Sequence, residues 1–253
     1  MLQSFLTSEL FAFLLVFCRI GSAIMVLPGF GESFVSPRVR LLLALMFSLV
    51  LAPAIAHMPA PPTTVFGLLT LILAEIVVGL FIGGLSRILM SAIHLAGMII
   101  ALQSSLANAL AQDMTQIQGQ ASSLGNWLGM TTLVLIFVTD MHHYMLKGLA
   151  DSYTLFLPGY FPAVEDFSNH ATQSLNQAFL MALQLSAPHI VVSVIVYLGA
   201  GVLSRLVPNI QVFFLMMAPQ IWISFLILMV TFSSMMLWYM EYFKESLSKF
   251  VAP

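Results

Sequence analysis

Long apolar runs, each closed by a proline, a glycine or a small group of charges, organise this chain. The first extends from about Glu9 to Leu27 and stops at Pro28-Gly29-Phe30-Gly31. The second, Leu41 to about Met58, contains Pro53, which removes a backbone donor and predicts a kink or an early end. Pro59, Pro61 and Pro62 then make a stiff connector. The third run is Val65 to Leu85 and the fourth Ile88 to about Leu110, with Arg87 but no turn signal between them. These two form either one long bent helix or a tight hairpin. Gly97 falls on the angular stripe of Gly79 and Gly83 if the helix continues, which favours continuity. The fifth run, Trp127 to about Met145, is interrupted by Asp140, His142 and His143. A polar region from Lys147 to Gln177 follows, with breakers at Pro158-Gly159 and Pro162. The sixth run, Phe179 to Leu203, carries Pro188, and the seventh, Val212 to Met240, carries Pro219 and ends in a polar helix.

Several runs reach or approach the roughly 20 apolar residues that cross a bilayer. The expected fold is therefore all-α, a polytopic membrane-type protein of broken, kinked helical hairpins. Composition agrees: 60% of the 253 residues are hydrophobic and 7% charged, against about a quarter charged in soluble domains. The eight Lys and Arg residues form no basic patch, so nucleic-acid binding has no electrostatic basis. The single cysteine, Cys18, has no intrachain partner for a disulfide. Glu9 and Arg19 do not suit a cleavable signal, so the first helix is expected to be retained. With seven spans, six of the eight basic residues fall on one side. The positive-inside tendency would then place the N-terminus outside and the C-terminus in the cytoplasm.

Three charges lie within or at the edge of apolar segments: Arg19, Glu75 and Arg205. A charge at the centre of a span costs roughly 2.5–3.5 kcal/mol on insertion scales, so chains keep one where it meets protein, water or an opposite charge. Arg19 and Glu75 are expected in an interhelical ion pair or against polar groups of another subunit. Arg205, near a helix end, divides evenly between such a role and snorkelling to the headgroups. No acidic, His or Tyr chain is visible beside Glu75, which argues against a proton relay. Gly79 and Gly83 give the Glu75 helix a smooth stripe where another backbone lies close.

Asp140-Met-His142-His143 is the one cluster that resembles chemistry. Adjacent helical histidines are expected to point to different faces, so a hydrogen-bonded interfacial cap outweighs a metal or catalytic site. No nucleophile elbow, P-loop, dinucleotide fingerprint or zinc-protease motif occurs. An enzyme is not expected, nor a cofactor or a metal. Between Ala107 and Asn126 the chain becomes polar, with four glutamines, one aspartate and no basic residue. That segment reads equally as a solvent loop or as a lining of a water-filled path.

The order of Arg19, Leu27-Pro28, Pro37-Arg38-Val39-Arg40-Leu41, Glu75 with Gly79 and Gly83, Gly97, Gln103, Asp113, His142-His143, Leu157-Pro158, Ala187-Pro188 and Arg205 to Pro208-Asn209 resembles the FliR family of type III export gates. The resemblance spans essentially the whole chain, residues 1–253, as one export-gate domain. Its first helical half would reach about residue 145 and its second would run from about 146. It implies a structural and gating subunit of the flagellar export channel, with no enzymatic activity, in the bacterial inner membrane at the flagellar basal body. The implied partners are FliP and FliQ in one helical assembly, FlhB, and unfolded flagellar substrates. It further implies that a loop at 106–122 plugs the closed channel, offering Leu106, Asn108, Gln112, Asp113, Gln116, Gln118 and Gln120. Arg19, Glu75, Gly79, Gly83 and Arg205 would be intramembrane assembly contacts. The sequence departs from the family pattern twice. The family often has glycine near Ser105, and Met114 follows the aspartate where proline is frequent. Virulence injectisomes contain a related subunit, which is one alternative. A small-solute transporter and an intramembrane metalloenzyme centred on Asp140, His142 and His143 are the others.

Overall fold

A computed structural model describes residues 2–55, 58–105, 123–160, 164–207 and 211–248. The described residues contain seven α-helices and no strand. They are α1 (Leu2–Val26), α2 (Pro37–Leu51), α3 (Val65–Gln103), α4 (Ser123–Val138), α5 (Met141–Leu155), α6 (Val164–Leu206) and α7 (Val212–Ser248). A 3-10 turn, Ala52–Ala54, follows α2.

Local chemistry explains most boundaries. α1 stops one residue before Leu27-Pro28. Arg40 then fastens the turn that follows, donating to the carbonyls of Glu32 (2.6 Å) and Val35 (2.9 and 3.1 Å). α2 opens with Ser36 as its cap and Pro37 in the first turn, where a missing N–H costs nothing. It ends at Leu51, and Pro53 lies in the 3-10 turn beyond. Asp140 separates α4 from α5 with φ +58°, a left-handed conformation that Asp accepts more readily than most side chains. The two helices meet there at 76°.

The third and fourth apolar runs are a single 39-residue helix, α3. Nothing between them breaks the backbone, and Arg87 points outward to an ion pair with Glu32 at 2.5 Å. Against the seven expected spans, the described residues hold five helices long and apolar enough to cross a membrane, or six if α4 and α5 count as one bent span. The polar region 147–177 is also largely helical. α5 runs to Leu155, and α6 begins at Val164 with Glu165 and Asp166 in its first turn, where the helix dipole favours them.

At 1.5 Å per residue, α3, α6 and α7 have contour lengths of about 58, 64 and 55 Å. The hydrocarbon core is about 30 Å thick, so these helices tilt, bend or project beyond it. Pro188 within α6 and Pro219 within α7 each remove one ladder hydrogen bond and favour bending.

The chain forms two compact units. One comprises Met1–Leu89, Ile136–Leu175 and Phe243–Pro253, and the other Met90–Leu135 and Asn176–Tyr242. In the first, α1 lies against α2 and α3, with Leu15, Val16, Ile20, Ala23, Ile24 and Leu27 fully buried. In the second, Ile93, Ala96, Ile100, Leu128, Ala182 and Tyr239 are among the fully buried side chains. Large apolar side chains remain exposed, among them Leu42, Met46 and Val50 on α2 and Leu215, Trp222, Met229 and Val230 on α7. Such a surface requires lipid or other subunits to cover it.

Candidate functional site

Arg19 occupies the centre of the first unit, with 1% of its side chain accessible. Its Nε donates to Glu75 Oε2 at 2.6 Å, joining α1 to α3. Its Nη1 donates to the Ser152 carbonyl (3.2 Å), to Ser152 Oγ (3.3 Å) and to the Phe156 carbonyl (3.1 Å). Nη2 donates to the same Phe156 carbonyl at 3.1 Å. Ser152 lies in the last turn of α5 and Phe156 is its cap; the Ser152 carbonyl already accepts from the Phe156 N–H at 2.8 Å, and the guanidinium supplies the donor to the Phe156 carbonyl at the helix end. The guanidinium thus neutralises Glu75 and caps the negative end of α5 at once. Its plane also lies over the Tyr153 ring, 4.1 Å from the centroid.

Glu75 is equally enclosed, and its second oxygen is also used. Oε1 accepts from the Gly159 N–H at 3.2 Å. Gly159 has φ +87°, a conformation that glycine adopts without strain, so the Pro158-Gly159 turn delivers its amide to the carboxylate. Phe81, Phe156 and Phe167 pack beside this turn, with Phe81 and Phe167 stacked at 3.8 Å. Both carboxylate oxygens and all three guanidinium nitrogens thus have hydrogen-bond partners, which offsets the cost of burying the pair.

One turn beyond Glu75, α3 meets α1 backbone to backbone. A methyl group on Gly79 would overlap Ser22 Oγ and the Arg19 carbonyl, and one on Gly83 would lie 2.8 Å from the Ala23 carbonyl. The stripe read from the sequence is therefore a contact within the chain, and it sets the helix spacing that lets Arg19 reach Glu75.

The second unit holds a polar cluster of another kind. At the end of α3, Gln220 Nε2 donates to the Gln103 carbonyl (2.6 Å), and Ser105 Oγ donates to Gln220 Oε1 (3.1 Å). Ser193 Oγ donates to Gln103 Oε1 at 2.8 Å. Ser105, with φ +59°, is in the left-handed region that glycine adopts without strain. His189 is 3% exposed beside Gln103, Ser104, Ser193, Gln220 and Ser224, and neither of its ring nitrogens has a hydrogen-bond partner.

Arg19, Glu75, Gly79 and Gly83 thus converge in the first unit, and Arg205 lies exposed in the last turn of α6 in the second. Leu106, Asn108, Gln112, Asp113, Gln116, Gln118 and Gln120 lie outside the described residues. Ser152, Tyr153, the Phe156 carbonyl and Gly159 were missed as partners of the pair, since they lie in a region that read as a polar connector. Gln220 was missed too, although it is the one amide side chain in the run from Val212 to Met240. The expectation that His142 and His143 diverge is also corrected. Their rings lie 4.1 Å apart, because both sit in the first turn of α5, directly after the left-handed Asp140.

These features define a multi-span helical membrane protein whose first unit is locked by a buried Arg–Glu pair. Comparison with known proteins narrows the class. The family model for bacterial export proteins, family 1, matches residues 10–246, and the chain belongs to that family. It is similar to the flagellar biosynthetic protein FliR of Caulobacter vibrioides, 32% identical over 237 residues covering 93% of this chain and 94% of the relative. FliR of Bacillus subtilis is 29% identical over 227 residues, covering 88% and 86%. The Yop proteins translocation protein T of Yersinia pestis is 27% identical over 239 residues, covering 93% and 91%.

Proposed function

We propose that this chain is a structural subunit of the flagellar type III protein-export channel. The observation that carries the reading is its family membership over residues 10–246, with flagellar relatives matched over most of their length. The long helices and apolar exterior suit a subunit covered partly by lipid and partly by other proteins. The partners in this reading are FliP and FliQ, joined in one helical gate, with FlhB and unfolded flagellar substrates. Its place is the inner membrane at the basal body, and it performs no chemical step. Residues 1–253 act as one gate subunit with two helical halves, to about residue 145 and from about 146.

Within that subunit, the Arg19–Glu75 pair and the Gly79–Gly83 contact hold α1, α3 and α5 in the shape that neighbouring subunits grip. Arg205, exposed at the end of α6, is left for a contact outside this chain or for headgroups. The polar segment 106–122 closes the resting channel, because amide groups bond water or each other and still release when a polypeptide arrives.

The similarity to the Yersinia translocation protein supports a virulence-type gate as the second reading. Deleting the gene in its own bacterium separates the two. Loss of flagellar filaments and of secreted flagellin, restored by the gene in trans, is expected. Intact flagella with loss of other secreted proteins would overturn the flagellar assignment in favour of the virulence one. Co-expression with the bacterium's own FliP and FliQ should yield one stoichiometric complex, and recovery as a partner-free monomer would count against the gate.

A further inference from the structure

The turn between α4 and α5 carries three side chains of metal-ligating type, which the proposed function leaves without a role. Asp140, His142 and His143 each bring one donor atom to a common point, all within 4.8 Å of one another. The nearest measured pair, Asp140 Oδ1 and His143 Nδ1, is 3.7 Å apart. That is too long for a hydrogen bond. It is close to the separation of about 3.3 Å between two donors that share a tetrahedral ion with bonds of about 2.0–2.1 Å.

Three further features separate this turn from an ordinary helix start. Asp140 stands at the cap position of α5 but makes no side-chain capping bond, so its carboxylate is not occupied by the backbone. His142 Nδ1 is buried without a hydrogen-bond partner. The His142 ring is wedged between Phe137, at 5.1 Å, and His143, at 4.1 Å. The left-handed backbone at Asp140 is what turns its carboxylate towards the two rings.

From this geometry we infer that the Asp140–His143 turn binds one divalent transition-metal ion of the zinc class. Two imidazoles and a carboxylate form a borderline donor set that suits zinc, cobalt or nickel better than calcium or magnesium. A fourth position is left for water. Asp140 and His143 are exposed, so their side chains close the remaining distance by rotation without moving a helix. The bound ion ties the end of α4 to the start of α5 and stiffens the 76° bend.

The test uses the full chain in detergent, carrying a tag without histidines and stripped of metal by a chelator. Zinc chloride is titrated calorimetrically, and cobalt chloride is followed by visible absorption, whose intensity reports four-coordinate geometry. One equivalent bound in the micromolar range is expected. Asp140→Asn and His143→Gln alter exposed side chains, and each should weaken binding about tenfold or more. His170→Gln, on the exposed surface of α6, should change nothing. His142 packs on Phe137, so its substitution also perturbs packing and is not decisive. Binding no tighter than millimolar, or micromolar binding unchanged in both Asp140→Asn and His143→Gln, would overturn the site. Neither result depends on which export system the chain serves.

Discussion

Arg19 and Glu75 meet at 2.6 Å with 1% of each side chain accessible, and the bond joins residues 56 positions apart. Removing one partner of such a buried pair strands the other charge, at a cost of about 3–5 kcal/mol. A whole domain is stabilised by only about 5–15 kcal/mol. Glu75→Ala should therefore reduce the abundance and thermal stability of the isolated chain, before any assembly step. Arg19→Lys should be nearly as damaging, since one ammonium cannot reach Glu75, Ser152 and the Phe156 carbonyl together. Replacing both by leucine should not rescue the fold, because the Phe156 carbonyl and the Gly159 N–H each lose the side-chain partner they have here. Thermal unfolding in detergent checks all three, and a Glu75→Ala chain of normal stability would refute the role assigned to the pair.

The two glycine types in α3 differ in what surrounds them. Gly79 abuts Ser22 and the Arg19 backbone, whereas an added methyl at Gly84 meets nothing within 4 Å. Gly84→Ala should be neutral or stabilising, since alanine favours a helix over glycine by about 1 kcal/mol. Gly79→Ala should destabilise in spite of that gain, because α1 must move and the Arg19–Glu75 bond must lengthen with it. Parallel melts of the two variants measure the difference, and equal stabilities would mean that α1 and α3 are not held in this close approach.

The physical reason these features differed in legibility is sequence distance. Helices and their ends were readable because hydrophobic runs, prolines and caps act over a few residues, as at Ser36-Pro37 and Leu27-Pro28. Glu75 and Arg19 were recognisable as misplaced charges for the same reason. Their further partners were not, because Ser152, Phe156 and Gly159 lie in a polar stretch that carries no sign of folding back over α1. The run of Val65 to Leu110 left a hairpin and a continuous helix both open, since Arg87 is as compatible with a turn as with a surface ion pair to Glu32. His142 and His143 misled because the rule for adjacent helical residues assumes a helix already under way, and a left-handed Asp140 starts this one.

The segment 106–122 offers a prediction about permeability. It is rich in amides and free of basic residues, and deleting Asn108 to Gln120 removes those amides and Asp113 together with Leu110, Met114 and Ile117. A gate closed by this segment should then leak small solutes, read as growth sensitivity to a normally excluded compound or as dye entry. Subunit assembly should persist. A deletion strain that still secretes and shows unchanged permeability would remove the plug from the mechanism.

Ser105 supplies the sharpest contrast at the base of that segment. At φ +59° a non-glycine residue is strained by about 1–2 kcal/mol. The Ser105 hydroxyl offsets part of this through its bond to Gln220 Oε1, a contribution of about 0.5–1.5 kcal/mol. Ser105→Gly loses the bond and the strain together, so its stability should stay near that of the natural chain. Ser105→Ala loses the bond and keeps the strain, so it should be less stable by about 1 kcal/mol. Gln220→Leu should be worse than either, because it strands the buried Gln103 carbonyl as well as the Ser105 hydroxyl. Melting temperatures should therefore fall in the order natural chain and Ser105→Gly, then Ser105→Ala, then Gln220→Leu. If Ser105→Gly proved the weaker of the two Ser105 variants, backbone strain would not govern this turn, and the hydroxyl bond alone would account for the serine.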